Sequence, residues 1–110
     1  MLIIARDGCD DDAPKRRLAA RPAHLDNAAR LQADGHLLIG GALTDEDGRM
    51  IGTAAVAQFE TRAELDDWLA TDPYVTGDVW REVEVHPYRV APHYDVPDCP
   101  ATRHDSGDDR

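Results

Sequence analysis

Two short motifs carry residue types suited to moving protons: Arg21-Pro22-Ala23-His24-Leu25 and Thr71-Asp72-Pro73-Tyr74-Val75. A histidine exchanges a proton near neutral pH, and a carboxylate bonded to it selects the tautomer and stabilises the imidazolium. His24 and Asp72 each stand close to a proline, which limits local backbone freedom. The chemistry requires the fold to bring the two within hydrogen-bond reach. On a continuous helix Arg17, Arg21 and His24 fall on one stripe, where guanidinium groups suit a carboxylate or a developing oxyanion. Pro22 leaves two readings open. It kinks a single helix over residues 15–34, or it opens a second one at its first position, which shortens the stripe to Arg21 and His24. Asp72 also suits the N-cap of a short helical turn through Tyr74 and Val75, a role that still leaves oxygen capacity for a histidine.

The elements that must position these residues follow from periodicity. Met1 to Ala5 is a short apolar run of strand type ended by Asp7-Gly8, and the helical segment from Lys15 stops at Gly35. Leu37 to Leu43 predicts a second strand whose Gly40-Gly41 pair weakens it but opens space for close approach. Asp47-Gly48 is a hairpin signal, with Ile51 to Glu60 returning antiparallel. Thr61 and Glu64 form a capping box ahead of Leu65, Trp68 and Leu69, and this second helix closes before Pro73. Val79 to His86 alternates as a last strand, with Val79, Val83 and Val85 on one side. The order β-α-β-β-α-β predicts an α+β, ferredoxin-like domain over residues 1–92, an antiparallel four-stranded sheet with helices on one face. Residues 93–110, rich in Pro, Asp, Ser and Gly, read as an acidic disordered tail.

With 110 residues and six aromatics, the core is expected to be built mainly from Ala, Val, Leu and Ile, and a homodimer covering the free sheet face is expected. The net charge of −10 concentrates at the two ends; residues 13–92 carry 13 acids and 9 bases. No basic footprint suggests a nucleic-acid partner, an anionic surface is repelled by anionic membranes, and no apolar run is long enough to span one. Without a signal-peptide pattern the expected address is cytoplasmic, with Cys9 and Cys99 as reduced thiols. His86, His93, Cys99 and His104 share no compact ligand spacing, so no metal is assigned, and no pattern calls for a cofactor.

The first motif, the strand Leu37-Leu38-Ile39-Gly40-Gly41, the triplet Asp72-Pro73-Tyr74 and a Val-rich last strand leading into Pro87-Tyr88 together resemble the YCII-related (YciI-like) family, from Met1 to about Pro92. The resemblance implies a dimeric α/β-barrel fold and a His–Asp pair as the active site, with His24 and Asp72 at the matching positions. It also implies lyase or isomerase chemistry, because a few relatives act in aromatic catabolism, one of them removing HCl from a chlorinated hydroxyquinol, although most of the family has no assigned reaction. Gly40-Gly41-Ala42 replaces the family's usual glycine-proline and the loop around Asp45 is short, so substrate identity does not transfer. The expectation is cofactor-independent proton transfer on a small phenolic, enolic or lactone-like substrate. His24 and Asp72 would be catalytic, and Arg17, Arg21, Gly40 and Tyr74 would contact substrate. The alternative is a non-catalytic ligand-binding or interaction module using the same cavity.

Overall fold

The structure is a computed structural model that describes residues 1–100. Seven elements follow one another: β1 (Leu2–Asp7), α1 (Ala13–Ala33), β2 (Leu37–Thr44), β3 (Met50–Ala57), α2 (Arg62–Thr71), α3 (Pro73–Thr76) and β4 (Trp80–His86). The strands form one sheet in the order β2-β3-β1-β4. All neighbours are antiparallel, with Ile3 opposite both Ala55 and Val85. β1 and β3 lie at the centre, and their residues 2–5 and 54–57 are wholly apolar.

Local signals set the element ends. Gly35, at φ +87°, terminates α1, where its N–H and that of His36 take up the carbonyls of Gln32 and Leu31. Gly48, at φ +84°, completes the β2–β3 turn, with Asp45 Oδ1 accepting the backbone N–H groups of Asp47 and Arg49. The capping box is made in full: Thr61 accepts from the Glu64 N–H and the Glu64 carboxylate accepts from the Thr61 N–H. Of the two readings left open for Pro22, the structure has the single helix, with Pro22 inside α1. The Leu18 carbonyl thereby loses its partner, but Leu18 is exposed, so water can replace the missing bond.

Alternate residues of the central strands, Ile3, Ala5, Thr53, Ala55 and Ala57, are buried on the face that carries the helices. They support two clusters, one of Ile3 and Ala57 with Leu65 and Trp68, the other of Ala5 with Tyr74, Val79 and Trp80. Four alanines in the core let helix and sheet approach closely, and the large side chains come mainly from α2, α3 and the start of β4. On the opposite face Leu2, Ile4, Ala54 and Val56 are half-buried and Ile51 is exposed. Among the described residues no helix is long and apolar enough to cross a membrane. Of the tail expected from residue 93, the part up to Pro100 is described and has no regular element; the Pro97 carbonyl accepts from Gln58 Nε2. Residues 101–110 of that expected tail lie outside the described residues, as does His104.

Candidate active site

Asp72 sits where α2 ends and α3 begins. Pro73 pushes the residue before it into extended backbone, and Asp72 adopts φ −63° and ψ 135° between the two helices. Its side chain is thereby turned back over the first turn of α3, where Oδ1 accepts the Tyr74 N–H at 2.9 Å. The same oxygen lies 2.8 Å from Nδ1 of His24, and Oδ2 accepts the indole N–H of Trp68 at 3.0 Å. Capping and pairing are therefore carried by one carboxylate that is 0% exposed and has three donors.

His24 projects from the middle of α1. Because the ionised carboxylate only accepts, the bond to Asp72 places the histidine proton on Nδ1 and leaves the Nε2 lone pair available. Nε2 makes no hydrogen bond among the described residues. The imidazole stacks on Tyr74 at 3.8 Å between centroids and meets the Trp80 ring edge-on at 5.7 Å, so two aromatic rings restrict its rotation.

Arg17 is buried. Its Nη1 donates to both oxygens of Asp7 at 3.0 and 2.8 Å, Nη2 reaches Thr53 Oγ1 at 3.4 Å, and the guanidinium lies 4.7 Å from the Tyr74 centroid. Its charge is therefore already neutralised inside the protein. Arg21, one turn further along α1, is exposed and has no ion pair among the described residues. The stripe drawn from the sequence thus divides into an internally paired arginine and an open one. Burial is the main reason the Tyr74 phenol is held above its usual pKa; nearby Arg17 and Arg21 oppose the shift.

These side chains line a cavity of about 640 Å³ between α1 and the β2–β3 half of the sheet. Arg17, Arg21, His24, Gly40 and Tyr74 all border it; Asp72 stands behind His24. A Cβ on Gly40 would make only ordinary contact with Ala55, and one on Gly41 would meet nothing within 4 Å, so the glycine pair leaves that wall low.

Sequence reasoning did not place Trp68, Trp80 or Thr53 here. Simple alternation along β4 puts Trp80 with Glu82 and Glu84, but the β1–β4 register shifts after Arg6, so that Trp80 pairs with Asp7 and turns inward. There it donates to Thr53 Oγ1 at 3.2 Å. Thr53 carried a detectable signal, a hydroxyl on the buried face of an otherwise apolar central strand. Among the described residues no group of three His, Cys, Asp or Glu side chains is arranged to hold a metal. Cys9 and Cys99 are both exposed and unpaired.

Comparison with known proteins identifies the family and the fold. A protein YciI of Escherichia coli is 32% identical over 94 residues, covering 80% of this chain and 94% of its own length. An uncharacterized protein of Haemophilus influenzae is 38% identical over 81 residues, covering 68% of this chain and 83% of its own. Among solved structures, the 5-chloro-2-hydroxyhydroquinone dehydrochlorinase TftG of Burkholderia phenoliruptrix, in complex with 2,5-dihydroxybenzoquinone, superposes with a TM-score of 0.69. The identity is 22%, and the match covers 86% of this chain and all of that one. The YCII-related domain matches residues 1–89, and on that match and these relatives the chain belongs to the YCII-related domain family.

Proposed function

We propose that this protein is a cofactor-independent enzyme that moves protons on a small phenolic or enolic substrate, with His24 as general base and acid. The observation that carries the reading is the 2.8 Å contact between His24 Nδ1 and fully buried Asp72 beside a cavity. In this reading Nε2 removes a proton from a substrate O–H or C–H, and the electron pair released migrates through the substrate or expels a leaving group such as chloride. The imidazolium then returns the proton to product or to water. Asp72 stabilises the imidazolium, as the carboxylate of a catalytic triad does. Arg21, the open cation at the cavity, pairs with substrate negative charge, and the Tyr74 hydroxyl remains a donor because its pKa is raised. Arg17 acts indirectly, holding Tyr74 and Thr53 in place.

The fold shared with a dehydrochlorinase supports testing chlorinated hydroxyhydroquinones first. Incubation with 5-chloro-2-hydroxyhydroquinone and unchlorinated enolisable phenols, read by chloride release and mass spectrometry, should yield product. Turnover should fall by about 10²- to 10⁴-fold in His24→Ala, the usual contribution of general acid–base catalysis. Turnover retained in that variant removes His24 from the chemistry. Ligands that raise the melting temperature without any product would favour a binding module.

The uncovered apolar face of the sheet, with Leu2, Ile4, Val56 and Ile51, supports a homodimer in which two sheets pack face to face. Sedimentation of the wild type and Ile4→Lys tests this, the variant being expected to shift toward monomer. We further propose a cytoplasmic address and residues 1–92 as the working domain.

A further inference from the structure

The cavity is chemically divided along α1. Its first part carries Arg17, Arg21 and His24, whereas beyond His24 the lining residues of the helix are Leu25, Ala28, Ala29 and Gln32. At 1.5 Å rise per residue, the stretch from His24 to Gln32 extends about 12 Å past the imidazole. Across the cavity from that stretch lie Leu37 and Leu38 at the start of β2, with Ala55 of β3 and Trp68 of α2. Leu25 there is left open at 46% exposure, and Leu37 and Leu38 are half-buried. Small residues at Ala28, Ala29, Gly40 and Ala55 keep the trough wide. A volume of about 640 Å³ falls among pockets that enclose ligands of drug size.

We propose that the natural ligand is amphipathic: an anionic or enolic head held by Arg21 and His24, and an apolar arm laid along the trough between α1 and β2. The inference rests on the proposed function for the identity of the head and adds the arm. A head group alone would leave the trough wet and its apolar walls unburied. An arm that follows α1 toward Gln32 covers Leu25 and Leu37 and gains binding energy in proportion to the apolar area removed from water. Binding energy at this distance from the reacting atoms is also what positions a substrate against its base.

The test uses the full chain and 4-n-alkylbenzoates from methyl to octyl, with affinities measured by isothermal titration calorimetry. Affinity should rise about threefold to fourfold per methylene, the equivalent of about 0.8 kcal/mol for a buried CH₂, and level off when the arm reaches the end of the trough. Gly40→Leu, or Ala29→Phe if the first does not fold, should lower the ratio of octyl to methyl affinity. Arg21→Ala should weaken every member by a similar factor. Benzoates that bind through Arg21 with no gain from chain length overturn the arm and leave the proposed head site standing. A gain that persists in both trough-filling variants also overturns it, because the arm then lies elsewhere. Failure of every member to bind overturns the arm together with the anionic head site.

Discussion

The indole Nε1 of Trp68 donates to Oδ2 of Asp72 at 3.0 Å, one helical turn before the aspartate, within the buried interior. The opposite oxygen of the same carboxylate is bonded to His24, so the tryptophan fixes the plane in which Asp72 presents Oδ1 to the imidazole. Trp68→Phe keeps most of the ring and deletes the donor. Hydrogen bonds to charged groups contribute about 1.5–3 kcal/mol, and urea unfolding should show a loss of that size. The carboxylate, relieved of one donor, is no longer held in that plane, so the NMR signal of the His24 Nδ1 proton that it accepts should shift or broaden relative to wild type. Lower stability with an unchanged Nδ1 proton signal would reduce Trp68 to packing.

The Arg17–Asp7 pair is buried on both sides, with side chains 7% and 6% exposed. Deleting one member strands the other charge where it is largely withdrawn from water. Asp7→Leu is therefore expected to cost about 3–5 kcal/mol in chemical denaturation, and the double variant Asp7→Leu with Arg17→Met should recover much of that loss. A double variant as unstable as the single one would show that the neighbouring contacts of Arg17 with Thr53 and Tyr74, rather than its charge, are what the fold requires.

Much of this arrangement was legible because its signals are local. The Thr61–Glu64 box, the Asp47-Gly48 turn and Gly35 after α1 each act through bonds spanning a few residues, and each stands where its own geometry demands. Asp72-Pro73 was legible for the same reason: proline fixes the backbone of its predecessor, and an aspartate there must cap the turn that follows. The third helix is that turn. Tertiary geometry was harder to read. Whether Arg17 faces substrate or Asp7 depends on how deeply the first turns of α1 sink against the sheet, and no spacing within the helix reports that depth. The inward turn of Trp80 depends on a register shift between β1 and β4, which alternation along β4 alone conceals.

Gly52 separates two kinds of glycine in this sheet. It stands at the end of the β1–β3 pairing, opposite Arg6 on one side and Leu43 on the other, and a Cβ there would overlap the Ala5 carbonyl oxygen, which cannot yield without parting β1 from β3. Gly52→Ala should lower stability by about 1–3 kcal/mol through overpacking, measured as a drop in melting temperature. Gly41→Ala, on the same sheet but facing open space, should change it little. Equal effects at both positions would mean that loss of glycine flexibility, not the close approach of two strands, governs the response.

Tyr74 gives the stability a dependence on alkaline pH whose sign follows from its burial. The phenol is 1% exposed by residue and its pKa is raised above 10.0, first by desolvation and further by the nearby Asp7 and Asp72 charges. In the unfolded chain it titrates near its ordinary value. Below that value both states keep the proton and the group contributes no slope. As pH rises past it the unfolded state releases its proton first, so the folded state binds more protons and unfolding becomes progressively easier, until pH exceeds the raised folded value. Urea midpoints measured from about pH 8 to about pH 11 should therefore fall more steeply in wild type than in Tyr74→Phe, which has no proton to lose. Parallel curves for the two proteins would mean that the hydroxyl is as well solvated in the folded cavity as in water. The role of Tyr74 as a protonated donor to substrate would then fail with the stability argument, because both depend on the same burial beside His24.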